Sequence, residues 1–244
     1  MDNRMKPLSQ LLFVSLFLTL TSAYAFDTDT PTTKSLLIDS VHLIPPQILP
    51  PAPGSDSAKG KVELLHIKTL VGRASTNERE LATKDASTKN VSFFADVIPG
   101  FEIEKLPKTK ALFDQVRFTE DFEAKLFKDY FMRKRPFELD PSILPCEPPR
   151  KGDEYKSYPS GHATMGYSMG IILAHLIPEK SAVIMDRATL YAENRLICGV
   201  HHLSDINAGQ VLGSIVATLL LQNADFQKML QASKQELSGA GLTQ

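Results

Sequence analysis

Cationic side chains and histidines are concentrated in three short segments of the sequence. Arginine and lysine bind oxyanions, and histidine exchanges protons near neutral pH, so this combination is suited to chemistry on an anionic substrate. The segments are Lys128 to Arg135, Tyr158 to His162 (Tyr-Pro-Ser-Gly-His), and Asn194 to Asp205, which contains Arg195, His201 and His202.

Lys128 and Arg135 form the first segment. They are seven residues apart, which is about two turns of a helix, so their side chains would leave the same face and could converge on one anion. The alternative is an ordinary solvated charged face.

The second segment directly precedes an apolar stretch that has helical spacing. A helix N-terminus offers unpaired N–H groups, so Ser160 and Gly161 there predict an anion site with His162 beside it. The alternative is that Ser160 only caps the helix. A serine hydrolase is less favoured, because Ser160 lacks the Gly-x-Ser-x-Gly elbow.

The third segment places Asp205 four residues after His201. Its carboxylate could accept the Nδ1 proton and leave Nε2 as a free lone pair, which would make His201 an oriented nucleophile or base. His202, three residues from Asp205, is also within reach, and an isolated His–Asp pair can be purely structural. No His-Glu-x-x-His or Cys-x-x-Cys spacing occurs, so we predict no catalytic metal and no cofactor.

Helical periodicity dominates the elements that must position these segments, and neither period-two strands nor internal repeats are evident. We therefore predict an all-α fold, a compact single-domain helical bundle. Prolines between Leu43 and Gly54 exclude a helix and a central strand, which leaves an extended arm on the core. The predicted helices are Val62–Val71, Asn77–Asp85, a segment within Ser87–Phe101 interrupted at Pro99, Thr119 to near Arg135, Ala163–Ile177, Ala182–Ile197 and Asp205–Gln222.

Residues 1–25 have the pattern of a secretory signal: a basic start, the apolar run Leu11 to Leu20, and the small-x-small triplet that ends at Ala25. An uncleaved anchor is the alternative. We predict periplasmic or secreted localisation in a bacterium after cleavage near Ala25. The mature chain then comprises a proline-rich arm, 26–55, and one helical domain, 56–244, with its catalytic motifs at 128–205.

Cys146 and Cys198 are the two cysteines of the chain. Because the predicted export would bring the protein to an oxidising compartment, we favour a disulfide between them. Closing this loop of about 50 residues would stabilise the fold by about 4 kcal/mol in the chain-entropy description. Two unpaired buried cysteines are the alternative.

The charge balance is close to zero, with 27 Lys and Arg against 28 Asp and Glu in 244 residues. This argues against nucleic acid as a partner and requires any anion site to be local. We find no mature stretch of about 18 apolar residues, so we expect no stable membrane insertion after signal cleavage.

Taken together, the segments match one signature: Lys, six residues, Arg-Pro; then Pro-Ser-Gly-His; then Arg, five residues, His, three residues, Asp. In these motifs the sequence resembles the class A bacterial non-specific acid phosphatases, a secreted branch of the type 2 phosphatidic acid phosphatase superfamily, which also includes vanadium haloperoxidases. The resemblance extends to the proline-rich arm, to Tyr130–Phe137 and to Ile197-Cys198-Gly199. It is weak over about residues 60–115.

The resemblance implies a metal-independent acid phosphatase that hydrolyses phosphate monoesters of broad specificity. It implies that His201 attacks phosphorus to form a phosphohistidine, that His162 protonates the leaving group, and that Asp205 orients His201. Because His162 must be charged, we predict an acidic pH optimum. The implied partners are small phosphorylated substrates, and the implied assembly is a homodimer. The implied phosphate-binding residues are Lys128, Arg135, Ser160, Gly161 and Arg195.

Two positions depart from the family pattern: Asn194 stands where serine is common, and His202-Leu203 where Trp-Gln is usual. We expect the first change to affect a supporting hydrogen bond and the second to reshape the pocket wall. The sequence leaves open whether phosphate is also transferred to acceptors other than water. The alternative functions are a lipid phosphate or pyrophosphate phosphatase, a vanadium haloperoxidase, or a non-catalytic exported phosphate-binding protein.

Overall fold

Helices account for the secondary structure of residues 37–38 and 43–244, the part of the chain that this computed structural model describes, and no strand occurs there. The predicted all-α fold is therefore confirmed. The predicted signal, 1–25, lies outside the described residues. The α-helices are α1 (Pro45–Ile48), α2 (Ala58–Arg73), α3 (Thr76–Ser87), α4 (Pro107–Phe131), α5 (Pro136–Leu139), α6 (Gly161–Leu176), α7 (Ser181–Ile197), α8 (Leu203–Gln222) and α9 (Ala224–Gly239), and 3-10 helices span Val91–Asp96, Ile103–Lys105 and Pro178–Lys180.

Helix α4 differs from its predicted bounds at both ends. It begins twelve residues before Thr119, at Pro107, because proline suits the first helical position. It ends at Phe131, because Met132 adopts the left-handed conformation (φ 46°) while its N–H still bonds the Lys128 carbonyl. Arg135 therefore lies outside this helix.

The proline-rich arm also contains a helix that the sequence argument excluded. Pro45 and Pro46 open the single turn α1, where their missing N–H groups would have no helical acceptor. The exclusion holds only for a helix interior. Leu43 and Leu49 are buried, and the Tyr158 hydroxyl donates to the Pro50 carbonyl at 2.7 Å, so the arm lies on the core as expected.

The aromatic segment before α4 and the C-terminal helix α9 also differ from the prediction, as does the single turn α5. Residues 91–96 form a 3-10 helix rather than an interrupted α-helix, although Val91, Phe93 and Phe94 are buried as expected. Helix α9 was not predicted. Its N-cap Asn223 accepts from two backbone N–H groups, and its buried Phe226 and Leu230 join the main core.

Helices α6 and α8 pack with their backbones in close contact. A Cβ atom on Gly209 would lie 2.5 Å from the Ser160 carbonyl oxygen, and one on Gly213 would lie 2.4 Å from that of Thr164. Glycine at these two positions therefore lets α8 touch the first turns of α6. The Ser160 N–H donates to the Asp205 carbonyl at 2.9 Å, so the N-termini of both helices are fixed to each other.

Helix α8 contains a window apolar enough to span a membrane by length and composition, with mean hydropathy 1.3. The window includes the polar residues Asp205, Asn207 and Gln210, so it is not an uninterrupted apolar stretch, and the expectation of no stable membrane insertion stays a prediction. Half of that window is buried inside the protein, and Leu212, Val216 and Leu220 are completely buried in the main core. The hydropathy of α8 is thus accounted for by its packing against α6.

Candidate active site

One cavity of about 600 Å³ brings the three sequence segments together. Six of the eight proposed catalytic and phosphate-binding residues line it: Lys128, Arg135, Gly161, His162, Arg195 and His201. The other two, Ser160 and Asp205, are completely buried and lie outside the lining.

The cavity is far more basic than the whole chain. Eight Lys or Arg side chains line it against four Asp or Glu, whereas the chain has a net charge of −1. Positive charges around a partly enclosed volume attract anions from solvent. The positive charge is thus concentrated in one cavity of a nearly neutral chain, which is the local arrangement that an anion site would need.

Three of these side chains, which we call the inner cations, are Lys128, Arg135 and Arg195. Within the described residues, none of them forms an ion pair with a carboxylate. Burial and the charge of Arg135 lower the pKa of Lys128 to about 7. An unpaired buried cation is costly, and a bound anion would remove that cost.

Lys128 and Arg135 reach the cavity by a different route from the one proposed. Lys128 is in the last turn of α4, while Arg135 is the extended N-cap residue of α5 (ψ 156°). The proposed common helical face is therefore wrong, although both residues line the cavity. The chain reverses through Met132, and Arg135 then donates to the carbonyls of Asp153 and Val200, each at 2.9 Å.

Arg195 gives the clearest sign that the cavity can bind an anion. Its side chain is 7% exposed, and its Nε and Nη1 groups have no hydrogen-bond partner. Burial lowers its pKa to about 10, and the charge of Arg135 acts in the same direction. Buried donors normally have partners, so these N–H groups are available to an oxyanion in the cavity.

The contacts of His201 define its tautomer. Arg135 Nη1 lies 3.3 Å from its Nε2. Because arginine has no acceptor, Nε2 must be the acceptor and the proton must be on Nδ1. Nδ1 in turn lies 3.4 Å from Asp205 Oδ2. Burial holds the pKa of His201 well below its ordinary value, so the imidazole is neutral and its lone pair is on the nitrogen that faces Arg135.

Asp205 is held from several sides. Arg133 Nη1 donates to Oδ1 at 2.5 Å, and Oδ2 accepts from Ser157 Oγ at 2.6 Å and from the His202 N–H at 2.7 Å. Burial would raise its pKa, but the hydrogen bonds from His201 and His202 and the charge of Arg133 hold it well below the ordinary value. Asp205 is therefore an ionised acceptor.

Sequence reasoning missed Arg133 and Ser157, although each lies within three residues of a recognised motif residue. It also left two histidines as candidates for contact with Asp205. His202 Nδ1 does approach Oδ2, at 3.3 Å, but His202 is 1% exposed and does not line the cavity. His201 is the one that faces the cavity, and the His202-Leu203 departure lies outside its wall.

His162 lies at the start of α6. Its Nε2 is 3.1 Å from the Ala86 carbonyl, which can only accept, so Nε2 carries a proton. Protonation to the charged form must therefore occur at Nδ1. Burial and the charge of Arg195 hold its pKa well below the ordinary value.

Ser160 and Gly161 differ in their relation to the cavity. Ser160 Oγ accepts from the Ala163 N–H at 3.3 Å as the N-cap of α6, which is the capping alternative. Gly161 lines the cavity, and a Cβ atom there would lie 3.7 Å from Lys128 Nζ. The N-terminus of α6 therefore lies within van der Waals range of an inner cation.

Two supporting features hold the cavity walls. Cys146 and Cys198 form a disulfide, which ties the loop after α5 to the end of α7. Asn194 Nδ2 donates to Asp85 Oδ2 at 2.7 Å, and Arg187 pairs with both oxygens of Asp85. The Asn194 departure therefore retains a hydrogen bond in the turn of α7 that carries Arg195.

Comparison with known proteins places these residues in a family context. The PAP2 superfamily matches residues 118–228. The chain is 34% identical over 165 residues to a Zymomonas mobilis protein named acid phosphatase, a match that spans 62% of that protein's length and 66% of this chain. Proteins named non-specific acid phosphatase are 29% identical in Providencia stuartii, over 84% of this chain and 83% of the relative, and 28% identical in Salmonella typhimurium, over 78% of each.

Proposed function

We propose that the chain, whose residues 118–228 match the PAP2 superfamily, is an acid phosphatase of the class A non-specific type, acting on phosphate monoesters. The proposal rests mainly on one observation: Arg195 and the neutral His201 line the same basic cavity, and Arg195 has two buried N–H groups without a hydrogen-bond partner.

Each step of the proposed reaction uses a group in the cavity. The inner cations bind the phosphoryl oxygens, and Arg135 exchanges its contact with His201 for one with the substrate. His201 Nε2 attacks phosphorus, and the P–O bond to the leaving group breaks. His162, charged at Nδ1 once the phosphate dianion is bound, donates its proton to the leaving alkoxide. Water then cleaves the phosphohistidine, and His162 takes up the proton from that water.

Metal independence is part of the proposal, because three fixed cations supply the charge that a metal ion would otherwise contribute. The test is hydrolysis of p-nitrophenyl phosphate by the purified mature protein at pH 5–7, with and without EDTA. We expect turnover in both conditions. Phosphate binding without turnover would identify a non-catalytic binding protein, and loss of activity in EDTA would reveal a required metal.

We extend the proposal to phosphate transfer, since any hydroxyl that reaches the phosphohistidine can replace water. With glycerol added, nitrophenol release should then exceed free phosphate release. Equal release at every glycerol concentration would restrict the activity to hydrolysis.

We also propose that the protein is exported. The signal pattern of residues 1–25 supports it, as does the Cys146–Cys198 disulfide, since such bonds persist in oxidising compartments. N-terminal sequencing of the protein from a bacterial periplasm should begin at Phe26. An intact N-terminus in the membrane fraction would indicate an anchor instead.

A further inference from the structure

The remaining basic side chains of the cavity, which we call the outer cations, are Lys89, Arg117, Lys125, Arg150 and Lys156. Three of them are neutralised locally: Arg117 and Lys125 pair with Asp121, and Lys156 pairs with Asp129. Within the described residues, the side chains of Lys89 and Arg150 form no hydrogen bond or ion pair. The mechanism above uses neither of them.

These two unpaired cations are close enough to affect each other. The pKa of Lys89 is lowered first by burial and then by the charge of Arg150, and only the nearby Glu147 acts against these effects. Arg150 is four residues after Cys146, whose disulfide anchors its loop to the end of α7. Two cations that repel each other beside one carboxylate retain a net attraction for a second anion.

The cavity volume leaves room for such a group. Sites of roughly 300–1,000 Å³ hold whole small molecules, and this cavity of about 600 Å³ exceeds what one phosphate needs. A substrate whose phosphate contacts the inner cations therefore has its leaving group inside the same cavity.

We propose that Lys89 and Arg150 form a second anion subsite, which selects phosphomonoesters that carry another acidic group on the leaving-group side. This inference rests on the proposed phosphatase activity. The substrate class is a phosphorylated molecule with a carboxylate or a second phosphate several bonds from the ester.

Sorbitol 6-phosphate and 6-phosphogluconate are a matched pair for the test, because both are open-chain and the second carries a distal carboxylate, which cannot be hydrolysed, in place of a hydroxymethyl group. We expect kcat/KM to be about 3- to 10-fold higher for 6-phosphogluconate, as one partly solvated charge contact would give. In Lys89→Gln/Arg150→Gln the ratio of the two kcat/KM values should fall to near one. Lys125→Gln is the matched control, and its ratio should equal that of the wild type.

The outcomes separate the two claims. Hydrolysis of neither substrate would refute the proposed function. Hydrolysis of both with a wild-type ratio of one or less would refute the subsite alone. A preference that survives in the double variant would assign the second anion to other residues and overturn this inference.

A second observation carries an independent proposal about Arg133, which is 8% exposed in its side chain. Its Nη1 donates to Asp205 Oδ1 and to Ser204 Oγ, at 2.5 and 2.7 Å. Its Nη2 donates to Glu63 Oε2 at 2.8 Å and to the Pro53 carbonyl at 3.4 Å. One guanidinium thus links α2, the proline-rich arm and the N-terminus of α8 to Asp205.

We infer that Arg133 is a positioning residue for the reaction, acting through Asp205 on His201. It engages Oδ1 and so turns Oδ2 towards His201 Nδ1. Without Arg133, the completely buried carboxylate of Asp205 would lose its counter-charge, and its pKa would rise. A protonated Asp205 would no longer accept the His201 proton, so the nucleophilic tautomer would be lost.

For Arg133→Ala we expect kcat to fall about 10- to 100-fold, the usual range for groups that orient a functional side chain by hydrogen bonds. KM should change less than threefold, because Arg133 does not line the cavity. Added guanidinium should restore part of the kcat. Arg187→Ala, which breaks a comparably buried pair with Asp85, is the control for the loss of a buried ion pair that does not reach Asp205, and added guanidinium should not restore its kcat to the same extent.

Ser157→Ala provides a second variant in case Arg133→Ala does not fold. It removes another donor to Asp205 and should also lower kcat with little effect on KM. Normal kcat in either folded variant, or equal guanidinium rescue of Arg133→Ala and Arg187→Ala, would overturn the positioning role.

Discussion

The inner and outer cations line one cavity but differ in what surrounds them. Three of the outer cations pair with carboxylates, and Lys125, at 70% side-chain exposure, is largely in solvent. The inner cations form no such pair, and Arg135 and Arg195 are 9% and 7% exposed. Paired surface charges contribute little to stability, whereas unpaired buried ones are destabilising. Arg135 and Arg195 are therefore held at a cost in stability, which is expected of residues that bind a substrate rather than support the fold.

Replacing His201 should produce the largest effect. For His201→Ala we expect kcat to fall by several orders of magnitude, because the nucleophile is lost while the cations still bind phosphate. His202→Ala should retain far more activity, since His202 does not line the cavity. Steady-state kinetics on both folded variants would check this, and equal losses would remove the distinction between the two histidines.

Arg195→Met tests the claim that the inner cations are destabilising. We expect kcat/KM to fall about 100- to 1,000-fold through loss of transition-state contacts. In phosphate-free buffer the free energy of unfolding should rise by about 1 kcal/mol, because two unpartnered buried N–H groups are removed. Denaturant titration would measure this, and a less stable variant would contradict the cost assigned to Arg195.

The pH dependence should reflect Lys128. Its pKa is about 7 in the folded protein against 10.5 ordinarily, so the unfolded chain binds more protons between these values. The free energy of unfolding of the phosphate-free protein should therefore rise with pH across that interval, and Lys128→Met should flatten the rise. The same proton loss should lower kcat/KM above about pH 7, and Lys128→Arg should move that decline to higher pH. An unchanged decline in Lys128→Arg would assign it to another group.

Replacing an outer cation should have the smallest effect on activity and stability. For Lys125→Gln we expect less than a threefold change in kcat/KM for p-nitrophenyl phosphate, because Asp121 already neutralises this exposed lysine. Its free energy of unfolding should change by less than about 0.5 kcal/mol. A loss comparable to that of Arg195→Met would erase the difference between the two sets.

Sequence reasoning found the residues whose roles follow from local position. The segments at 158–162 and 194–205 lie at helix ends, and the apolar periodicity next to them predicted those helices closely. Lys128 and Arg135 were placed in one site, but the prediction that they share a helical face was wrong. The left-handed residue that ends α4 is Met132, and without a glycine there the sequence did not indicate the end of the helix.

The residues that were missed depend on tertiary contacts. Arg133 contacts Glu63 seventy positions away, and Lys89 reaches the cavity from the segment after α3. No spacing rule links such positions. The sequence also contained no sign of the role of Gly209 and Gly213, because that role depends on the carbonyl groups of α6 that they approach in the fold.

Trapping the reaction intermediate tests the central claim most directly. The enzyme would be mixed with a phosphate monoester labelled in its phosphoryl group and quenched in base within milliseconds, and its peptides would be mapped for the label. We predict covalent phosphate on the imidazole of His201 in the wild type and in His202→Ala, and none in His201→Ala. Turnover without a covalent phosphoryl enzyme, or a label on His202 or Ser160, would contradict the account.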